Sequence, residues 1–386
     1  MSAAAAAGPD LFLEPRHEAL AARVEAFVTG RLAAAGIEDD APGAALRLLN
    51  LLAQGGILDH VVPAPYGGAA DPLDLRAICV VREALARASG LADALFIMQG
   101  LGSHPLLLEG SDALRREFLP GLRTGEHAAA IAITEPGAGS DLGAVATTAR
   151  RDGDDYVLDG HKHFISNAGF ATFYALLART GEASEGRHAL TFFLVEDDSA
   201  GLTTSPQRLI SPHPVGEVRL EGCRVPASHR LGAEGSGFDL ALRTLNFFRA
   251  SVGAAAVGFA ARALSESLAH AAARRQFGQA IGEFQGVQFY LADMATQIDA
   301  SRLLVHQAAA AQDRGEGRPE LASMAKLFAT EAAGRVADLA VQIHGGAGLV
   351  AGSIVERIYR EVRSLRIYEG TSEIQRNVIA RELLRR

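Results

Sequence analysis

The spacing of apolar residues changes period twice along the chain, and this constrains the fold more than any single motif. In the first third Leu20, Val24, Phe27 and Val28 recur at helical spacing, and DLRAICVVREALARAS keeps the same period further on. The stretch VPAPYGGAADP, dense in Pro and Gly, reads as a loop between helices. From about 128 to 235 short runs of strand type follow one another: HAAAIAIT, YVLDGHKHFIS, FYALLART, ALTFFLVE and GEVRLEGCRVP, separated by Gly, Asp and Ser clusters. They predict an antiparallel barrel or sandwich. After GAEGSGFD the helical period returns in Ala-rich segments near 237–275, 283–313 and 320–343, which would pack as an antiparallel bundle with small residues on the close faces. The expected organisation is an α+β multidomain chain: helices over 1–125, strands over 126–235 and helices over 236–386.

Bulk properties narrow the function classes. A chain of 386 residues, 48% of them apolar, exceeds one ordinary core and predicts two or three domains. The formal charge of -8 argues against nonspecific nucleic-acid binding, which needs a positive face. Cys79 and Cys223 lie far apart, have neither metal nor redox spacing, and read as buried residues in a reducing compartment. MSAAAAAGPD lacks the basic start and apolar core of a signal peptide, and no run reaches about 18 apolar residues. The expectation is a soluble cytoplasmic protein with no nucleic-acid partner and no membrane partner.

Four stretches could carry chemistry, and each also has a bland reading. AITEPGAGSDLG, Ala132 to Gly143, is a small-residue turn after a strand; its backbone amides could hold an anion or a polar ring edge, or it could be a plain Pro-Gly turn. RRQFGQAIGEFQGVQF offers Arg274 to a phosphate and Gln285 to a ring edge, or is a solvated loop between helices. In QIHGGAGLV the paired glycines suit a helix C-cap, and His344 alone suits packing as well as binding. In YEGTSEIQR, Thr371 or Ser372 followed by Ile374, Val378 and Ile379 looks like a helix start, which leaves Glu369 as an accessory near a positive helix end or as a chemical group. No Walker loop, Rossmann fingerprint, Gly-x-Ser-x-Gly elbow or metal-ligand spacing is present, so no metal is expected.

Taken in order, ITEPGAGSD, HFISN, RRQFG followed by FQ, QIHGGAG and IYEGTSEIQR resemble the motif series of the acyl-CoA dehydrogenase family over essentially the whole chain. The resemblance implies that family's fold: an N-terminal α-helical domain, a middle antiparallel β-barrel or sandwich domain and a C-terminal four-helix bundle. It implies FAD as cofactor. Ile133 and Thr134 would reach the flavin pyrimidine edge, Phe164 and Ser166 would cover its face and N5, and Gly139 and Ser140 would border the thioester. Many relatives carry Trp where Phe164 stands, so a smaller ring would stack. Arg274, Phe277 and Gln285, with Gln342, Ile343, His344, Gly345 and Gly346, match positions that clamp the FAD pyrophosphate and adenine from a neighbouring subunit. Thr371 and Glu373 match the last FAD contacts. A homodimer would then be the minimum competent unit and a homotetramer the expected state.

Glu369 matches the family's catalytic base, which takes the proton next to a thioester while hydride leaves the β carbon for flavin N5; electrons then pass to an electron-transfer flavoprotein. Desolvation beside flavin and acyl chain would raise its pKa. A minority of relatives carry the base one residue before the substrate-helix arginine, but here Phe248 precedes Arg249. Asn246 replaces the usual Asp partner of that arginine, and Glu361 replaces a more usual Asp as a longer structural carboxylate. Tyr368, Gly370, Met98 and Gln99 are expected along the acyl pocket. Competing readings are a flavin oxidase or monooxygenase of the same fold and, from another class, a flavin-containing DNA-binding or adaptor protein. The basic ARELLRR end is the only local support for the last, and a helix-end dipole explains it as well.

Overall fold

Among the described residues six α-helices precede the first strand: α1 (Pro15–Phe27), α2 (Ala33–Ala35), α3 (Ala44–Gln54), α4 (Leu75–Ala88), α5 (Gly90–Glu109) and α6 (Asp112–Thr124). The computed structural model describes residues 11–37, 39 and 43–385, so the Ala-rich start lies outside the described residues. Backbone contacts divide the chain into two compact units. One is drawn from the segments Met1–Gly36, Leu75–Asp93 and Phe247–Arg386, the other from Ile37–Asp74 and Ala94–Asn246.

The second unit is built on a sheet of eight strands: β1 (Ala129–Ala132), β2 (Thr148–Asp152), β3 (Asp155–Ser166), β4 (Phe173–Arg179), β5 (Leu190–Glu196), β6 (Leu202–Gln207), β7 (Val215–Pro226) and β8 (Arg230–Leu231). The order is β6-β7-β3-β2-β4-β5-β8, with β1 pairing β4 off this path. Most pairs are antiparallel as expected; β1 and β2 run parallel to β4. In β4, Phe173, Ala175 and Leu177 enter one apolar cluster and Tyr174, Leu176 and Ala178 another. A strand covered on both faces has no reason to alternate polar with apolar, which is why FYALLAR reads as a continuous run.

Two devices position the end of β1, where the ITEPGAGSD motif begins. The first is a close approach: a Cβ at Gly102 on α5 would lie 2.9 Å from Ala129 and from the Ala130 amide. Gly102→Val should push α5 off β1 and cost about 1–3 kcal/mol, read as a lower melting temperature, by the usual penalty for overpacking. The second is a buried amide. Gln99 Nε2 donates to the His127 carbonyl at 2.7 Å and the Leu122 carbonyl at 3.3 Å, while its Oε1 accepts from the Ala129 amide at 2.9 Å. Gln99 is therefore a structural clamp whose polar atoms are all spent on backbone, which corrects its expected place along an acyl pocket. Met98 is buried with it.

In the first unit the chain continues as α7 (Gly237–Ala273), whose residues from Phe247 onward belong there, α8 (Gln285–Asp313), α9 (Pro319–His344), α10 (Ile354–Leu365) and α11 (Ser372–Leu384). The long helix α9 packs against α8, α10 and α11, and α4 packs against α1 and α8. Ala325, Ala329, Ala333, Ala337 and Ala340 are buried along α9, so small side chains let the neighbours approach. By length and composition α5 and α7 could cross a membrane, but 89% and 78% of their most apolar windows are buried within the protein. Both are core helices here.

Candidate active site

Between α10 and α11 the backbone makes two successive left-handed residues, Glu369 with φ +52° and Gly370 with φ +91°. For Glu this costs roughly 1–2 kcal/mol, so surrounding contacts must hold it. Gln375 Nε2 donates to the Glu369 carbonyl at 3.2 Å and the Gly370 carbonyl at 2.9 Å, and Lys326 Nζ donates to the Gly370 carbonyl at 2.7 Å. Ser372 Oγ donates to Glu331 Oε1 at 2.6 Å, and Arg366 Nη1 lies 3.3 Å from Glu331 Oε2. Thr371 is the N-cap of α11, its hydroxyl accepting from the Ile374 amide at 3.3 Å. The capping function therefore falls to Thr371. Glu369 lies two residues before that cap, off the helix line.

The Glu369 side chain is half-buried, yet its Oε2 is enclosed and has no hydrogen-bond partner among the described residues. Burial raises its pKa; Arg82, Lys326 and Arg249 oppose the rise, and Asp93 adds to it. An enclosed carboxylate with a free oxygen and raised basicity is suited to accept a proton.

The surrounding charges are themselves buried. Arg82 and Asp93 are 1% and 5% exposed and join in a fork, Nε to Oδ1 and Nη2 to Oδ2, both 2.8 Å. Arg82 Nη1 also donates to Ser251 Oγ at 3.0 Å. Burial would lower the Arg82 pKa, but the Asp93 carboxylate more than offsets this and holds it raised. The Tyr368 hydroxyl meets Arg82, and burial pushes this phenol well above its ordinary value. Arg249 is buried beside a fully buried Phe248, which carries no proton acceptor. Burial lowers the Arg249 pKa, against the pull of Glu369. Lys326 is pushed down to about 8 by burial, against the attraction of Glu369. The structure thus brings Tyr368, Glu369, Gly370 and Arg249 together, and adds Arg82, Asp93, Lys326 and Gln375, none of which sequence reasoning had singled out. Lys326 left one trace: a lone cation among the alanines of the buried α9 face. Glu361 lies elsewhere, with Oε2 3.0 Å from the place of a Gly90 Cβ, packed as a structural carboxylate.

The β-unit holds a second group of expected residues. Glu135 and Ala138 close the TEPGA turn by reciprocal backbone bonds of 3.0 and 3.1 Å, leaving Gly139 and Ser140 exposed. Behind it, Lys162 Nζ donates to Glu135 Oε1 at 2.7 Å and to the Ile133 carbonyl at 3.2 Å, and Thr147 Oγ1 donates to the same carboxylate at 2.5 Å. The Thr134 carbonyl accepts from the His163 amide at 2.8 Å. The β3–β7 register slips between Lys162 and Ile165, and in that irregularity Phe164 takes φ +57°. Its ring is 56% exposed, edge-on to His163 with centroids 4.1 Å apart. Ser166 Oγ lies 2.9 Å from His213 Nε2. A bulge of this kind re-aims a side chain away from the sheet's own alternation.

The remaining expected residues lie at helix ends of the first unit. Arg274, Phe277 and Gln285 are exposed, Phe277 at 95% with φ +51°. Gln342, Gly345 and Gly346 are exposed, while Ile343 is buried and His344 half-buried. His344 stacks on His270 with ring centroids 4.3 Å apart, and the Arg274 amide bonds the His270 carbonyl, so these two motifs meet at one end of the helices. Glu373 is exposed in the first turn of α11, and its own amide and Thr371 lower its pKa. Asn246 sits three residues before Arg249 on α7, nearly one turn away. Among the described residues no group of three or more His, Cys, Asp or Glu could hold a metal, and both cysteines are buried.

Residues 14–126 match the N-terminal domain of acyl-CoA dehydrogenases, 130–223 the middle domain and 235–384 the C-terminal domain. The cyclohexane-1-carbonyl-CoA dehydrogenase of Geobacter metallireducens is 40% identical over 341 residues, 88% of this chain and 89% of its own length. The butyryl-CoA dehydrogenase of Megasphaera elsdenii superposes with a TM-score of 0.90 at 33% identity, over 96% of this chain and 99% of that one. An acyl-CoA dehydrogenase of Bacillus anthracis, solved in complex with FAD, gives 0.88 at 33% identity over 97% of this chain and 67% of that one. The chain belongs to the acyl-CoA dehydrogenase family of FAD-dependent oxidoreductases.

Proposed function

We propose that the protein removes hydrogen from the α and β carbons of an acyl-CoA thioester to give the trans-2-enoyl-CoA, with Glu369 as the base. The observation that carries this reading is the Glu369 carboxylate itself: an enclosed, partnerless Oε2, raised basicity, and a strained backbone held by Lys326 and Gln375. The residues present fit FAD. Phe164 offers an exposed ring for stacking, and Gly139, Gly345 and Gly346 leave open space where a Cβ would stand. Ile133, Thr134 and Ser166 would hold the ring, and Arg274, Phe277, Gln285 and Gln342 through Gly346 the pyrophosphate and adenine, with Thr371 and Glu373 at the remaining edge. When bound, FAD supplies the acceptor for the hydride that leaves the β carbon.

Every other task falls to the chain. Glu369 Oε2 takes the α proton, and the backbone amide of Glu369 is available to polarise the thioester carbonyl. Arg249 and Asn246 bind the CoA portion, Asn246 by hydrogen bonding without a charge, Ser140 and Gly370 border the thioester, and Tyr368, its hydroxyl anchored by Arg82, lines the acyl site. An electron-transfer flavoprotein is the proposed partner for re-oxidation, and the cytoplasm the proposed location. Exposed apolar side chains at Phe277, Phe289, Leu349 and Val350 support assembly of at least a homodimer, with a homotetramer as the full state.

The test is anaerobic titration of the FAD-loaded protein with straight, branched, cyclic and aromatic acyl-CoA thioesters. At least one should bleach the flavin absorbance and yield one enoyl-CoA per FAD, whereas the matching free acid should not. Failure of every thioester to bleach it would overturn the reading.

A further inference from the structure

Lys326 is the one cation among the buried residues of α9, and the whole residue is 0% exposed. Its Nζ spends a hydrogen bond of 2.7 Å on the carbonyl of Gly370, the residue after Glu369. That carbonyl and the one before it also accept from Gln375 Nε2. The two donors come from different helices, so α9 and α11 together grip the two left-handed residues of the loop. A buried ammonium is costly unless it is paired, and among the described residues no carboxylate is hydrogen-bonded to this one. Its electrostatic partner is the carboxylate of Glu369, which stabilises the ammonium while the ammonium stabilises the carboxylate.

We propose that Lys326 is a positioning residue for the base: its hydrogen bond fixes the strained Glu369–Gly370 turn, and its cation favours the proton-accepting form of Glu369. This rests on the reading of Glu369 as base. Other charged groups act on the same pair. Arg82 on α4 and Arg249 on α7 also favour the Glu369 carboxylate, Asp93 at the start of α5 disfavours it, and Arg249 disfavours charged Lys326. Glu331 on α9 and Glu373 on α11 favour charged Lys326, and Arg381 on α11 disfavours charged Arg249. Tyr368 stays neutral because burial holds its phenol protonated. With a lysine pKa pushed down to about 8, the cation is present at neutral pH and fades above that value.

The test uses the FAD-loaded full chain in three forms: wild type, Lys326→Met and Lys326→Gln, the second variant serving if the first does not fold. Removing the cation removes a stabiliser of the Glu369 carboxylate, so its pKa rises. The acid limb of kcat/KM should therefore move to higher pH by about one unit or more, the usual effect of a nearby opposite charge. Below that limb the rate should fall by about tenfold or more, mostly in kcat, because the lysine touches the loop and not the thioester. Amide hydrogen exchange across 369–375 should quicken in Lys326→Met, a readout independent of turnover. An acid limb and exchange rate matching wild type in a folded variant would overturn the proposal. A Glu369→Gln protein that stays active would instead remove the base assignment, so the two failures are distinguishable.

Discussion

Asp93→Ala should be among the most damaging single substitutions outside the reacting groups. It strips the fork from Arg82, a guanidinium 1% exposed, and among the described residues leaves the Ser251 hydroxyl and the Tyr368 phenol as its hydrogen-bond partners. Leaving one member of a buried pair without the other costs about 3–5 kcal/mol, since the remaining charge stays desolvated without compensation. At about 2.1 cal/mol/K of unfolding entropy per residue, each kcal/mol lowers the melting temperature of a chain this long by roughly 1 °C, so a fall of roughly 4–6 °C is expected by calorimetry. Activity should fall further than stability explains, because an unpaired Arg82 is free to engage the Glu369 carboxylate that it already influences. Replacing both partners, as in Arg82→Met with Asp93→Leu, should be milder in stability than Asp93→Ala alone, since no lone charge remains. Equal melting temperatures for wild type and Asp93→Ala would show that the pair does not hold this part of the unit.

Much of the fold is legible because apolar periodicity survives where one face or both are buried. The runs at β3, β4, β5 and β7 could be read, as could α7, α8 and α9 to within a few residues. TARRD and LTTSPQ carry no strand signal, and β2 and β6 show why: most of their side chains are exposed, so pairing through backbone bonds leaves little apolar trace. Gln99 was misread because an amide in an apolar helix looks like pocket lining until its backbone partners, 23 to 30 residues away, are known.

The site divides along the same line. Glu369, Phe164 and the glycine turns lie in short stretches whose residue types match a known motif series, so resemblance located them. Arg82, Asp93, Lys326 and Gln375 do their work through tertiary contacts, and local sequence says nothing about which distant loop a buried charge will meet. Positive φ at Glu369 and at Phe164 is likewise invisible locally, since neither residue type favours that region. Both strained positions lie at groups proposed to touch substrate or cofactor, where surrounding contacts can sustain the cost.

The most direct measurement of the central claim is anaerobic mixing of FAD-loaded Glu369→Gln with an acyl-CoA that bleaches the wild type. Gln keeps the shape of the side chain and a polar group at the place of Oε2 but cannot take a proton, so flavin content and thioester binding should persist. Loss of a positioned base costs about two to four orders of magnitude, and a very weakly acidic α proton puts this case at the upper end. A thermal melt supplies an independent sign. The folded-state pKa of Glu369 is raised, so its stability contribution is present below the ordinary Glu value and is lost as pH rises through the folded value. Glu369→Gln should therefore be more stable than wild type at neutral pH, with the gain shrinking as pH falls through the ordinary Glu range. The account predicts a yellow, folded, thioester-binding variant whose bleaching is at least a thousandfold slower than that of the wild type, by the general-base estimate. Bleaching at the wild-type rate would contradict it.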